Sequence, residues 1–418
     1  MWWLRRAAMP LLAVAFMTAS ALAVLLFDTS KTDLDVFFWP SAEAAVHGHP
    51  LLVYALHSGQ YPNANGPVSL LPLSLVAALA NALGWQDTTR WRDALTVGLF
   101  AVFTLLLARE AVLAVRAGRG GPVRPLLVAA VFLLAPPLWV ALVGFGHVEE
   151  PLELWLILLG VRLLGRRRTL LAGVCLGLAV MTRTASAVCL IPLIAALLFD
   201  RRVTAAIGLA GAAVITAGLV IAPFLVADRG DVVFSLITYR GALPVVGGSL
   251  WVAFTGAAWI GFIQHSDSLV FAGAALLLSV AALALRPPGG WRPPHVYALL
   301  AMAAACVPML AKTSWPYYLL DPYVFAALWW LARPGRVVGW RAAAPLLLAV
   351  EGIVLAAVEP TLPLPAGSGD LIGVLASAGM AAVVALILVD WCSRPRRPRP
   401  ALQRGAPAPA GARPAGSW

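Results

Sequence analysis

The sequence predicts an all-α protein: a polytopic transmembrane helical bundle of about twelve spans (about eleven to fourteen), with short interfacial helices in its first outer loop. Three observations predict it. Of the 418 residues, 61% are hydrophobic and only 12% are charged, against about 45–50% and about 25% in soluble domains. Mean hydropathy is +0.87. The apolar residues fall in runs approaching the length of a membrane helix, about 20 residues, with short arginine-bearing breaks between them. This composition excludes a soluble globular domain and a disordered chain. It also excludes a nucleic-acid-binding domain, because the formal charge of +11 comes from arginines clustered in the short breaks between apolar runs and forms no continuous basic face interleaved with aromatics.

The chain opens on Arg5 and Arg6, an apolar core and a small-residue run around Ala19-Ser20-Ala21. Apolar residues continue past the position where a signal peptide would be cut, so an uncleaved span over about 9–27 is expected, with its N-terminus inside. Further apolar runs lie near 67–83, 94–115, 124–143, 151–164, 170–182, 184–199, 203–226, 250–264, 269–285, 295–311, 317–332, 341–358 and 371–391. Arginine marks the expected inner loops at Arg116/Arg119/Arg124, Arg162/Arg166/Arg167/Arg168, Arg201/Arg202, Arg286/Arg292 and Arg333/Arg336/Arg341. All five face the cytoplasm only if two weaker runs, 67–83 with its two prolines and 250–264, do not cross. The break at 84–93, with Arg90 and Arg92, fits this scheme least well.

The same topology places the acidic residues outside: Asp28, Asp33, Asp35 and Glu43 in a loop over about 28–66, then Glu149 and Glu150, Asp228 and Asp231, and Glu359 and Asp370. Residues 1–392 form the membrane domain. The tail over 393–418 is rich in proline, alanine and arginine, which predicts disorder and contact with anionic lipid. Cys175, Cys189, Cys306 and Cys392 show no CxxC or metal spacing, and no disulfide framework is expected.

No stretch is long enough for a soluble nucleotide-binding lobe, and no Walker or dinucleotide glycine fingerprint occurs. Asp33-Leu34-Asp35 has the DxD form of nucleotide-sugar transferases, but that motif needs an α/β domain around it. The first outer loop carries more. It sets carboxylates a few residues beyond a span, where low-dielectric surroundings raise basicity, although Asp33 and Asp35 equally fit polar residues marking a membrane boundary. His47, His49 and His57 share this loop. Histidines at i and i+2 do not share a helical face, which argues against a metal site.

The order of elements resembles a known family. An aspartate follows the first span. Phe37, Phe38, a small helix over Ser41–Val46, Gly48 and Tyr54 come next, then Gly66-Pro67-Val68-Ser69-Leu70-Leu71-Pro72-Leu73. This looks like the opening of the GT-C superfamily of membrane glycosyltransferases, in particular family 87, the polyprenol-phosphate-mannose-dependent alpha-mannosyltransferases. Gly144-Phe145-Gly146-His147-Val148-Glu149-Glu150, the small-residue helix after the 166–168 arginines, Arg183, and Lys312 through Tyr317, Tyr318 and Pro322 are similar to its later segments. The chain departs at Asn63-Ala64-Asn65-Gly66-Pro67, where the family carries tyrosines, and at Arg183, where it carries lysine.

The resemblance implies transfer of a hexose, mannose as first choice, from a polyprenyl-phosphate donor to a lipid- or polysaccharide-linked acceptor outside the cytoplasm. It implies Asp33 as general base with Asp35 as the alternative, Arg183 and Lys312 against the phosphate, and no cofactor. It places His147, Glu149 and Glu150 near sugar or acceptor hydroxyls and Tyr317 and Tyr318 beside the sugar. Structural readings stand beside these: snorkelling for Lys312, an ordinary polar turn for His147 to Glu150, and an interfacial aromatic belt for the tyrosines, Tyr54, Tyr61 and Tyr323 included. A pentosyl transferase of the same fold is a second chemistry. A transporter of lipid-linked sugar is a rival of another class, and it predicts an internal repeat and midplane charges. No repeat is evident.

Overall fold

The computed structural model describes residues 2–26, 33–55, 62–85, 87–119, 123–285, 293–333, 339–358 and 368–393. The expected basic tail from 394 onward, Lys31, His57, Tyr61, Arg286, Arg292, Arg336 and Glu359 lie outside them.

The described chain is almost wholly helical. It begins with α1 (Trp2–Leu26), a π-helical turn (Leu34–Phe38) running into α2 (Trp39–Val46), α3 (Leu70–Ala82) and α4 (Thr89–Arg119). Next come α5 (Pro125–Leu133), α6 (Pro136–Trp139) with a π-helical turn over Val140–Phe145, α7 (Glu150–Gly165) and α8 (Thr169–Val180). A 3-10 turn (Thr184–Cys189) leads into α9 (Leu190–Phe199), then α10 (Val203–Ala227), α11 (Arg229–Val233) and α12 (Tyr239–Ala242). The remainder is β1 (Val246–Gly247), α13 (Ile260–Leu285), α14 (Pro293–Leu310), β2 (Thr313–Ser314), α15 (Leu320–Leu331), α16 (Ala343–Val358) and α17 (Ser368–Cys392). The two strands pair in parallel, Val246 with Thr313 and Gly247 with Ser314.

Among the described residues five helices are long and apolar enough to cross a membrane: α4, α10, α13, α16 with the turn before it, and α17. Joined across a 48° bend at Leu134-Ala135, α5 and the 136–145 segment make a sixth. Ile207, Val214, Leu219 and Val226 on α10, and Leu346, Val350 and Ile353 on α16, are all more than half exposed. Water would not tolerate such faces on a monomer, whereas lipid does. The chain is an all-helical membrane bundle.

Several expected runs give helices too short to span alone. Among them α8 has 12 residues, α9 has 10 and α15 has 12. Two of these shorten for a visible reason: the runs at 184–199 and 317–332 begin in 3-10 turns, where the backbone leaves the α-helix to bring polar side chains together. The break expected at 84–93 is shorter than that, because α4 starts at Thr89 and already contains Arg90 and Arg92. The polar stretch Gln264-His265-Ser266-Asp267-Ser268 lies inside α13.

Close helix packing follows from small residues. A Cβ on Gly177 would lie 2.5 Å from the Ala213 carbonyl oxygen, and one on Gly173 2.6 Å from the Leu209 carbonyl oxygen. The Gly173/Gly177 face of α8 therefore touches α10 backbone to backbone, as small-xxx-small interfaces do. α14, with Ala298, Ala301, Ala303 and Ala305 all buried, runs through the core against α13, α15 and α17.

A candidate active site at one end of the bundle

Helix direction gathers the polar residues. α7 runs from Glu150 to the arginine turn at 166–168, α8 returns to Arg183, and α9 leads away to Arg201 and Arg202. The turns at 166–168 and 199–202 carry Arg167 and Arg201 at φ of 61° and 58°. Glu150 and Arg183 thus share the end opposite these turns, where they meet the 33–39 segment, the 62–69 loop and the 312–321 segment.

His147 is the hub. The π-helical turn before it ends at Gly146 with φ of 72°, a left-handed conformation that glycine adopts without a Cβ penalty. This turns His147 inward, where its side chain is 8% exposed. Nε2 lies 2.8 Å from Asp33 Oδ2 and Nδ1 lies 2.7 Å from Glu149 Oε1. The ring stacks on Tyr317 with centroids 3.7 Å apart and receives Phe38 edge-on at 5.5 Å. Burial opposes the imidazolium, but Glu149 and Asp33 outweigh it and push the His147 pKa up to about 10. His147 is therefore charged at neutral pH and donates to both carboxylates. Burial likewise opposes the Glu149 carboxylate, and the His147 charge overcomes it, holding that carboxyl below its ordinary value.

The loop that departs from the family pattern completes this chain. Asn65 Nδ2 donates to Glu149 Oε1 at 2.9 Å, Tyr54 OH donates to the Asn65 carbonyl at 2.8 Å, and the Asn65 amide donates to Asn63 Oδ1 at 3.0 Å. Gly66 lets the loop sit this close, since a Cβ there would lie 2.1 Å from the Met181 carbonyl oxygen. Tyr54 is wholly buried, and Tyr323 donates to the Val131 carbonyl at 2.9 Å, so both serve packing.

Arg183 forms the second centre. One guanidinium nitrogen lies 2.9 Å from Glu150 Oε1, 3.7 Å from Glu153 Oε2 and 3.6 Å from Asp321 Oδ2. The guanidinium also lies over Tyr318, 4.8 Å from the ring centroid. Ser186 Oγ donates to Glu153 Oε1. Sequence reasoning missed Glu153 and Asp321, because each interrupts an apolar run singly. Their cost inside such a run was the available signal.

A cavity of about 300 Å³ opens between the two centres, with Asp33, His147 and Asn65 on one side, Arg183 on another, and Trp315, Tyr317 and Tyr318 between. Tyr239, Leu243 and Val246 also line it. Asp33, with its side chain 31% exposed, is the carboxylate that reaches this space.

Glu149 and Glu150 are buried behind His147 and Arg183 and do not line the cavity, and two further expected site residues lie elsewhere. Asp35 points away from the cavity and pairs with Arg92, whose guanidinium also stacks 4.5 Å over Trp39. The π-helical turn separates it from Asp33 although only one residue intervenes. Lys312 does not line the cavity. Its Nζ donates to the Gly241 and Gln264 carbonyls, at 3.0 Å for the former, and its amide donates to Asp267 Oδ2 at 3.1 Å. It is a buried clamp that ties α12 to α13 beside the parallel bridge, because a charge this deep must spend its donors on the nearest acceptors.

No group of three or more His, Cys, Asp or Glu side chains placed to hold a metal ion occurs among the described residues. In the site itself, both ring nitrogens of His147 are committed to carboxylates. No protein-family model and no curated protein matches the chain.

Proposed function

We propose that the chain is a GT-C-type membrane glycosyltransferase that moves a hexose, mannose as first choice, from a polyprenyl phosphate to a lipid- or polysaccharide-linked acceptor. The observation that carries this reading is a single cavity with a positioned carboxylate on one wall and a buried guanidinium on another. Glycosyl transfer from a lipid phosphodiester needs a base for the acceptor hydroxyl and a cation for the departing phosphate. Asp33 is the base. His147, itself held by Glu149, aims it by donating across the 2.8 Å contact. Arg183 holds the phosphate, and Tyr317 and Tyr318 form an aromatic wall for the sugar.

About twelve crossings, short helices included, put both termini in the cytoplasm. The arginine turns then face the cytoplasm by the positive-inside rule, and the cavity, at the opposite helix ends, faces outward.

A photoreactive polyprenyl phosphodiester tests the assignment. Labelling should concentrate on peptides containing 183–191, 234–246 and 313–318 and be competed away by polyprenyl-phosphate mannose. Uncompeted labelling along the lipid-facing sides of α10 and α16 would mean that the lipid phosphate does not occupy the cavity.

A further inference from the structure

Arg183 faces an excess of negative charge. Glu150 and Glu153 are fully buried and Asp321 nearly so, all three within 4 Å of one guanidinium nitrogen. Among the described residues no other cation is within ion-pair distance of any of them. Three ionised carboxylates around one cation would bury two uncompensated charges, which proteins avoid by taking up protons. The least costly resting arrangement pairs Arg183 with one carboxylate and leaves the other two neutral.

Glu150 is the paired one. It is nearest, at 2.9 Å, whereas Glu153 already accepts from Ser186. Two features show that this pairing is not a closed structural bridge. Neither Glu150 oxygen nor the facing Arg183 nitrogen has a hydrogen-bond partner of good geometry. Arg183, 6% exposed, also lines the cavity. The guanidinium thus borders the cavity while one of its nitrogens faces an anion already in place.

We infer that Glu150 stands in for the donor's phosphate on Arg183, and that an incoming phosphodiester displaces it, Glu150 taking a proton from solvent as it releases the guanidinium. The inference rests on the reading of the cavity as a lipid-phosphate site. One anion replaces another on Arg183, and the proton keeps the buried charge constant. The charged and titratable groups facing Glu150 are Arg183, His147, Asp321, Glu149, Glu153 and Tyr317. His147, with its pKa pushed up to about 10, stays charged through neutral pH and contributes no proton there.

The test uses purified full-length protein and a short-chain isoprenyl phosphodiester, whose single charge does not titrate near neutrality. Calorimetry in buffers of differing ionisation enthalpy should read uptake of about one proton per ligand, with affinity falling about tenfold per pH unit between pH 7 and 9. Glu150→Gln should bind with no such slope, and more tightly than the wild type at pH 9. Glu153→Gln should keep the slope. Zero proton uptake by the wild type, or an unchanged slope in Glu150→Gln, overturns the linkage while leaving phosphate binding intact. Failure of the wild type to bind the diester at any pH overturns the phosphate reading itself, and the linkage with it.

Discussion

Asp33→Asn separates chemistry from structure better than any other single change. Asparagine keeps the length and one carbonyl oxygen of the carboxylate, so His147 can still donate across the 2.8 Å contact. What is lost is the charge and the ability to take a proton at neutral pH. A hydrogen bond to a charged group is worth about 1.5–3 kcal/mol. The Asp33 side chain is 31% exposed, and solvent screening brings its share to about 1 kcal/mol. Glu149 still holds the imidazole at 2.7 Å. The variant should therefore fold, express and bind donor much as the wild type does. Turnover should fall at least about a hundred-fold, the lower end for a general base. The assay is single-turnover transfer from a labelled polyprenyl-phosphate sugar, beside a binding measurement on the same preparation. Asp35→Asn, which loses the Arg92 pair and touches no cavity atom, should lower stability and spare turnover. Full activity in Asp33→Asn would refute the assignment of the base, because among the described residues no other carboxylate lines the cavity.

Arg183→Ala should weaken donor use far more than Arg90→Ala in the first turn of α4, because only Arg183 lines the cavity; comparing kcat/KM for the two variants checks this. Lys312→Met should lower the unfolding temperature by several degrees, since two buried carbonyls lose their donor at about 1–3 kcal/mol each, and Lys312→Arg should recover part of that loss. His147→Gln bears on pH. The folded pKa of His147, about 10, lies above the ordinary 6.5, so its stabilisation is fully present below pH 6.5 and is lost as pH rises through 10. The unfolding temperature of the wild type should fall between pH 7 and 10 by more than that of the variant, and equal slopes would mean that His147 is not held between two carboxylates.

The sequence made the membrane character plain, because apolar runs and arginine breaks are properties of the chain read in one dimension. It also marked Asp33, His147, Glu149, Glu150 and Arg183, since a charged or polar residue beside an apolar run has a cost that needs explaining. It could not separate Asp33 from Asp35. Their divergence depends on a π-helical turn, and no periodicity distinguishes such a turn from an ordinary helix. It misjudged Lys312 because a lysine after an apolar run looks alike whether its ammonium meets a ligand or two carbonyls. The Asn63 to Pro67 segment looked like a departure from the family pattern, and it supplies the Asn65 contact that anchors Glu149. Glu153 and Asp321 were hidden by their apolar neighbours, and only the fold, which brings the first turns of α7 and α15 to Arg183, shows that both converge on it. Helix lengths were not legible for a related reason: hydropathy registers an apolar run whether the run is one long helix or a 3-10 turn and a short one.

The most direct measurement is sugar transfer by the purified wild-type protein in detergent, offered a panel of radiolabelled polyprenyl-phosphate hexoses and pentoses with glycolipid and polysaccharide acceptors. The account predicts transfer from one of these donors, with mannose the first to try, release of free polyprenyl phosphate in equal amount, and loss of both in Asp33→Asn. Movement of the intact lipid-linked sugar across a bilayer by reconstituted protein, with no bond broken and no transfer from any donor on the panel, would contradict it.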